Sequence, residues 1–388
     1  MLTNPFGIVV VLLCIEASVL YVSSRRGFEK YFKFIPSVFW IYFLPMLVST
    51  AGFIDSRSAV YSAVSGIFLP ASLFLLLMSS DIKSIMKLDR PALGMMFAGS
   101  LGIMLGVPFV FYFFRNWVGS GMWSGFGALS GSWIGGSANM IAVKEAIGTP
   151  DSVFTPMVIV DTVVPYVWMG VLVAAAGFQK KFDCWNKSNR RILDELSCSV
   201  TNIPLHEKGP FRFSAMILSI FLALAGSFAV RYAAGYLPVV QDVISPYAWT
   251  IILVSSLGII LSFTPLRTLD NRGASRAGYW MLYFVLTSIG AKANISNIGP
   301  TLVLIIAGCL IVLFHAGVLL TVARIIKAPL FLAAVASQAN IGGVASAPVI
   351  AAIYQPGLAS VGLLLAIVGN IIGTYLGILT AQVCRFLT

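Results

Sequence analysis

Apolar and polar stretches alternate along this 388-residue chain on the length scale of a lipid bilayer. Crossing the hydrocarbon core takes about 20 consecutive apolar residues in a helix, and runs of that kind recur throughout the sequence. The uninterrupted runs are predicted to be ten spanning helices, at 5–23, 35–54, 59–79, 92–114, 152–177, 213–235, 247–264, 278–290, 299–323 and 358–384. The pattern therefore predicts an all-α, polytopic membrane protein.

Two further apolar segments, 121–147 and 328–353, are interrupted by glycine pairs. The first contains SGSWIGGSAN at 130–139 and the second contains SQANIGGVAS at 337–346. Glycine is costly inside a helix, and freed backbone groups are tolerated in a membrane only where protein or a watery cavity satisfies them. Paired interrupted segments in the two halves of a chain indicate the binding site of a transporter.

The similarity between the two halves extends beyond the glycine pairs. Ser79, Lys83 and Pro91 match Ser288, Lys292 and Pro300 at an offset of 209 positions. The order of spans, basic turn, interrupted segment and final span is also the same. We therefore predict an internal duplication, with a first repeat at 1–177, a polar cytoplasmic linker at 178–212 and a second repeat at 213–388. A short surface helix around Arg190–Leu196 is an alternative within the linker.

The basic residues indicate how the repeats are oriented. The net charge is +11, and 19 of the 25 Lys and Arg residues lie in loops at 24–34, 80–90, 178–212, 265–276 and 324–327. If each interrupted segment is a re-entrant hairpin, all five loops lie on one side, which the positive-inside rule makes the cytoplasm. The two repeats are then inverted. Broken helices that cross the membrane completely remain the alternative.

Composition and motifs argue against other classes of protein. The chain is 59% hydrophobic and only 10% charged, far from the roughly 25% charged residues of a soluble domain. It contains no HExxH, GxSxG or phosphate-binding loop, and its five cysteines show no metal-ligand spacing. We expect no enzyme activity, no nucleic-acid partner and no cofactor other than a coupling sodium ion.

The interrupted segments supply the candidate substrate-binding residues. A half-helix that begins inside the membrane presents free N–H groups and a partial positive charge, which suits a carboxylate or another anionic group. The candidate substrate ligands are Ser132, Gly135, Gly136, Ser137, Asn139, Asn340, Gly342, Gly343 and Ser346. Close packing of two hairpin tips through small residues is the alternative interpretation.

A second set of oxygen-bearing residues is assigned to a coupling ion. Asp161 lies in the middle of span 152–177, where a carboxylate is expensive and usually functional. The candidate ion ligands are Asp161, Ser130, Ser337, Gln338 and Asn370, the last being the neutral counterpart of Asp161 in the final span. Glu16 precedes the repeated core, and His315 is interpreted as a packed polar residue.

The stretch GSWIGGSANMIAVKEAIG, the VxVD segment after it and SQANIGG resemble domain-of-unknown-function family 819, a group of polytopic membrane proteins. That family looks like a distant member of the grouping of sodium/glutamate symporters, bile-acid symporters and cation/proton antiporters. The resemblance implies an inverted-repeat fold with a mobile transport domain, a static scaffold domain and an elevator-like movement.

These observations favour a cation-coupled secondary transporter of a small anionic or zwitterionic solute. Sodium is preferred over protons because most candidate ligands are neutral oxygens. The alternatives are proton coupling through Asp161, a passive channel and a membrane subunit that does not transport. The expected partners are the solute, the lipid bilayer and a second copy of the chain bound through scaffold helices, and the expected location is the bacterial inner membrane.

Overall fold

The computed structural model of the chain describes most of its 388 residues. Outside the description lie residues 26, 29–30, 33–34, 36, 87, 190–191, 194–195, 197–212, 240–244, 294–300 and 356. Three sequence features therefore fall outside it: Pro300 of the sequence repeat, the side chain of Lys83, and much of the linker. The linker residues concerned include four of the seven residues of the alternative helix around Arg190–Leu196.

The described residues are helical almost throughout, without a β-strand, which confirms the all-α prediction. A single isolated bridge joins Leu2 and Ile54 in the described part. The α-helices are α1 Pro5–Ser23, α2 Ser37–Thr50, α3 Val60–Met78, α4 Ile82–Ile85, α5 Arg90–Val118, α6 Trp123–Gly135, α7 Ser137–Ile147, α8 Asp151–Ala176, α9 Gln179–Asn186, α10 Phe213–Ala234, α11 Pro246–Ser262, α12 Ala274–Lys292, α13 Thr301–Ile326, α14 Leu330–Ile341, α15 Gly343–Tyr354 and α16 Ala359–Phe386. Short 3₁₀ helices lie at Ser120–Met122 and Pro265–Arg272.

Each predicted span coincides with one of these helices, although not all of them are long and apolar enough to cross a bilayer. Within the described residues, seven helices meet that requirement, namely α1, α3, α5, α8, α10, α13 and α16. The predicted spans at 35–54, 247–264 and 278–290 correspond to three helices that do not meet it, α2, α11 and α12, of 14, 17 and 19 residues. At 1.5 Å per residue, 14 residues reach only about 21 Å. The chain is therefore a multi-pass membrane protein, and seven is the number of spans supported by length and composition.

The helices of the second half follow those of the first in the same order. The helix that begins at Trp123 is matched by one that begins at Leu330, and the helix that begins at Asp151 is matched by one that begins at Ala359. The long helices α1 and α5 are matched in the same way by α10 and α13. The two halves are therefore similar in the order of their helices, and the internal duplication stays a prediction.

The chain divides into two compact units, and each of them draws on both halves of the sequence. The first unit comprises Met1–Ser79, Gly148–Thr162 and Lys208–Thr301. In this unit α12 packs against α2 and α3. The Lys292 ammonium lies 3.2 Å from the Asp151 carboxylate, and the Tyr42 and Thr155 hydroxyls share a 2.9 Å hydrogen bond. These contacts fix the beginning of α8 within the first unit.

The second unit comprises Ser80–Ile147, Val163–Glu207 and Leu302–Thr388, and it contains both interrupted segments. Its central helix is α16, which packs against α5 and against both arms of each interrupted segment. The apolar core of this unit is built mainly from α5, α14, α15 and α16. Phe331, Leu365 and Val335 are fully buried in it. The candidate tip residues are thus collected within one compact unit.

Candidate functional site

The first interrupted segment is a helical hairpin in which α7 folds back along α6. A Cβ built on Gly131 would lie 2.8 Å from the side chain of Val143, twelve positions later. In a continuous helix these positions would be about 18 Å apart. The reversal occurs at Gly136, whose φ of +83° is a conformation that side-chain-bearing residues rarely adopt. The glycine pair is therefore needed for the turn itself.

A stripe of glycines lets the first hairpin approach the last helix closely. Gly369, Gly373 and Gly377 recur every fourth position of α16, on one face of the helix. A Cβ on Gly373 would lie 2.7 Å from the Cα of Gly135, and one on Gly377 would lie 2.8 Å from the Cα of Gly131. Small residues permit such backbone contact between membrane helices. Glycines on both elements thus bring the backbone of the first hairpin against the backbone of α16.

Asn139, a predicted substrate ligand, fastens this tip to the last helix. Its Nδ2 donates to the carbonyl oxygens of Gly135, at 2.5 Å, and Asn370, at 3.2 Å. Its Oδ1 accepts a 2.5 Å hydrogen bond from the Thr374 hydroxyl. Both amide hydrogens and one acceptor position are therefore occupied by the protein, so the side chain holds the tip in place.

The second interrupted segment is also folded back at its glycine pair. Gln338 Nε2 donates to the Ser346 hydroxyl at 2.7 Å, across eight sequence positions that a straight helix would separate by about 12 Å. Gly343 has a φ of +62° and begins the second arm. The first arms of the two hairpins, α6 and α14, contact one another. Both breaks therefore belong to one assembly around α16.

Two polar residues on one face of α14 hold it against neighbouring helices. Asn340 Oδ1 accepts from the Ser100 hydroxyl at 2.8 Å, and its Nδ2 donates to the carbonyl oxygen of Ala336 at 2.9 Å and to Met96 at 3.2–3.3 Å. A Cβ on Gly99 would overlap the Asn340 amide. The buried Asn340 is therefore enclosed by α5.

Ser337, three residues earlier, lies in a hydrogen-bonded chain whose direction is fixed by its ends. His315 Nδ1 lies 2.8 Å from the Gly99 carbonyl oxygen, which can only accept, so this nitrogen carries the proton. Trp168 Nε1 can only donate, and it donates to Ser337 Oγ at 2.9 Å. With neutral His315, Ser337 then donates to His315 Nε2 at 3.0 Å. This agrees with the interpretation of His315 as a packed polar residue.

Gln338 differs from its neighbours because part of its amide has no partner. The side chain is 1% exposed, and Oε1 makes no hydrogen bond with any residue that the structure describes. A Cβ on Gly342 would overlap Nε2, so the amide lies directly over the break. Buried polar groups are rarely left unpaired. Gln338 therefore presents a free oxygen at the second tip.

The remaining candidates are distributed over the hairpins and α16. Ser130 donates to the Gly127 carbonyl oxygen within its own helix, at 2.6 Å, and Ser132 is buried. Asn370 is half-buried, with its Oδ1 3.5 Å from a Cβ built on Gly136. The residues that retain some exposure at the breaks are Gly136, Ser137, Ala138, Gly342, Val344, Ala345 and Ser346. These residues form the accessible part of the two tips.

Asp161, the predicted ion ligand, belongs to the other compact unit. It is half-buried in α8, one residue before the point at which this helix passes from the first unit to the second. The structure therefore groups the tip residues in one unit without Asp161.

The buried Lys144 ammonium pairs with the Glu145 carboxylate at 2.8 Å on the second arm of the first hairpin.

A clamp between the linker and the base of the second hairpin was not predicted from the sequence. In α9, Asn186 Nδ2 donates to the carbonyl oxygens of Ala323 and Ala328 at 3.2 and 2.8 Å. Asp183 Oδ1 accepts from the backbone N–H of Leu330, the first residue of α14, at 2.9 Å. A carboxylate at a helix N-terminus is favourable. The described part of the linker is thus docked, with Ile192 and Leu196 in the apolar core.

Fold and site together define a multi-pass membrane protein with two glycine-broken helical hairpins assembled around one central helix. Over residues 10–387 the chain matches the family model described as protein of unknown function DUF819, and it belongs to that family. It is also 22% identical over 382 residues to the uncharacterized membrane protein YjcL of Bacillus subtilis (strain 168), covering 92% of this chain and 94% of the relative.

Proposed function

We propose that the chain is a cation-coupled secondary transporter of a small anionic or zwitterionic solute. The observation that carries this proposal is the pair of glycine-broken hairpins, whose first arms contact one another and whose arms all pack against α16. Interrupted helices in corresponding positions of two halves are typical of transporter binding sites. Membership of a membrane-protein family agrees with transport in general.

The ends of the broken helices supply the chemistry of this site. Arms α7 and α15 begin at Ser137 and Gly343, and their N-termini suit an anionic group. Arms α6 and α14 end at Gly135 and Ile341, where carbonyl oxygens carry partial negative charge that suits a cation. Sodium is the preferred coupling ion because the side chains at both breaks are neutral. Opposite charges of a zwitterion would then be bound by opposite helix ends.

The division into two units supports an elevator-like mechanism. The unit with the hairpins would be the transport domain, and the unit with α1–α3 and α10–α12 the scaffold, through which a homodimer would form. Five spans and one re-entrant hairpin per half would make the repeats inverted, and the folding back of both hairpins supports that topology. We place the protein in the bacterial inner membrane, with the linker in the cytoplasm.

Uptake by purified protein in proteoliposomes tests this proposal. A thermal-shift screen of small acids and zwitterions, with and without sodium, would first identify a solute. A ligand at 100 times its dissociation constant adds about 2.7 kcal/mol of stability. We expect saturable uptake that depends on the sodium gradient. Flux that does not saturate would favour a channel, and the absence of both flux and stabilisation would favour a subunit without transport activity.

Proton coupling through Asp161 is the second candidate. A half-buried carboxylate in a long apolar helix is the observation that favours it. Uptake driven by a pH gradient alone, without sodium, would support this alternative and contradict sodium coupling.

A further inference from the structure

At the second hairpin tip, Asn340 and Ser337 are hydrogen-bonded within the protein, whereas one oxygen atom of Gln338 is not. Asn340 and Ser337 are engaged by α5, His315 and Trp168. Gln338 Oε1 is fully buried and has no hydrogen-bond partner among the described residues. Leaving such an acceptor unsatisfied is unfavourable. A bound group that supplies positive charge or an N–H donor would remove that cost.

The Gln338 amide is only partly hydrogen-bonded within the protein. Nε2 donates one N–H to the Ser346 hydroxyl at 2.7 Å. Oε1 of the same amide is the buried atom without a hydrogen-bond partner among the described residues. An amide oxygen can only accept a hydrogen bond or coordinate a cation.

The surroundings of this oxygen favour a single positive charge. Gln338 lies in the last turn of α14, at the end of the helix that carries partial negative charge. Residues 330–354, which form both arms, contain no Asp, Glu, Lys or Arg. A neutral carbonyl oxygen can replace a water ligand of a monovalent cation, whereas this segment offers no carboxylate to bind a divalent one.

We propose that Gln338 Oε1 is a direct ligand for the positive charge of the transported species, either a sodium ion or the ammonium group of a zwitterionic solute. The inference rests on the proposed transport function and assigns the cation to the second hairpin. Ser130 and Ser337, by contrast, already donate their hydroxyl hydrogens to partners within the protein. The first tip, held by Asn139, is left to bind the other parts of the solute.

Cation binding by the full-length protein in detergent tests this assignment without requiring transport. Thermal unfolding would be followed by tryptophan fluorescence while sodium chloride, or methylammonium chloride in a second series, replaces choline chloride at constant ionic strength. Gln338→Met keeps an unbranched side chain of similar length and removes the oxygen. Gln338→Glu retains an oxygen and adds charge. Gln355→Met makes the same change at the residue after the second arm, and is the matched control.

We expect saturable stabilisation of the wild type by at least one of the two cations. Gln338→Met should weaken its apparent binding by about tenfold to a hundredfold, Gln338→Glu should strengthen it, and Gln355→Met should leave it unchanged. Stabilisation by sodium identifies an ion site, and stabilisation by methylammonium alone identifies an amine subsite.

Wild-type protein that neither cation stabilises would overturn the assignment, as would unchanged binding in Gln338→Met. If Gln338→Met does not fold, unchanged sodium binding in Gln338→Glu would overturn it as well. These outcomes are separable from failure of the transport function, because that failure is a lack of solute flux in proteoliposomes.

Discussion

Replacing Gly373 by alanine tests whether backbone contact between α16 and the first hairpin stabilises the second unit. The new Cβ would lie 2.7 Å from the Cα of Gly135 and 2.9 Å from its nitrogen. Ordinary carbon–carbon contacts are about 3.5–4.0 Å, so the backbone must move by about 1 Å. Overpacking of this kind typically costs about 1–3 kcal/mol. Because the closest atom is backbone, rotation of the nearby Asn139 side chain does not relieve the overlap.

Gly94→Ala is the matched control for this substitution. Gly94 lies in helix α5, and a Cβ built there meets no atom within 4 Å. Alanine at this position should gain up to about 1 kcal/mol from helix propensity. For a unit of roughly 150–250 residues, each kcal/mol shifts Tm by about 2–4 °C. Gly373→Ala should therefore lower Tm by about 2–12 °C, and Gly94→Ala should not lower it.

The assay is thermal unfolding of the detergent-solubilised protein, followed by tryptophan fluorescence. Equal Tm values for wild type and Gly373→Ala would refute the argument, because they would mean that the hairpin and α16 are not in backbone contact. A similar decrease in both variants would also refute it, since helix propensity and space should make Gly94→Ala harmless.

Three other predictions concern different parts of the chain. Asn186→Ala should destabilise the protein by about 1–3 kcal/mol, because the carbonyl oxygens of Ala323 and Ala328 lose their buried donor; an unchanged Tm would contradict the clamp. Asp161→Asn should leave the sodium dependence of uptake unchanged, because the cation is assigned to the second hairpin; loss of uptake driven by a pH gradient in Asp161→Asn, but not in Glu16→Gln, would support the proton-coupled alternative instead. Single cysteines at the exposed Lys180 and Gly27, in a cysteine-free background, should react from the same side of the membrane; reaction from opposite sides would contradict the re-entrant hairpins.

Periodicity and glycine placement predicted the helices and their breaks well, because both are local properties of the chain. The breaks at Gly136 and Gly342 were visible as glycine pairs in apolar segments. Partners far apart in sequence were not predictable from such local signals. Ser100 and Trp168 were missed for this reason. A lone histidine in a membrane span was the available signal for the Trp168–Ser337–His315 chain, and its partners could be identified only from the folded structure.

The same limit applies to the candidate ligands. Asn139 and Gln338 are both amides near a glycine pair, and the sequence analysis assigned the first to the substrate and the second to the coupling ion. Their difference depends on neighbours: Thr374 and Asn370 on α16 complete the bonds of Asn139, whereas Gln338 Oε1 is left free in the described structure. Tertiary contacts therefore decide which oxygens are available to a ligand.

The clamp at the base of the second hairpin has a consequence for synthesis of the chain. Asp183 and Asn186 leave the ribosome more than a hundred residues before their partners at Ala323, Ala328 and Leu330. The two side chains that bind the base of the second hairpin are therefore synthesised before the hairpin itself, in the segment that follows the first repeat. A second repeat expressed alone would lack the carboxylate that caps α14. The linker, synthesised first, thus provides the groups against which the base of the second hairpin assembles.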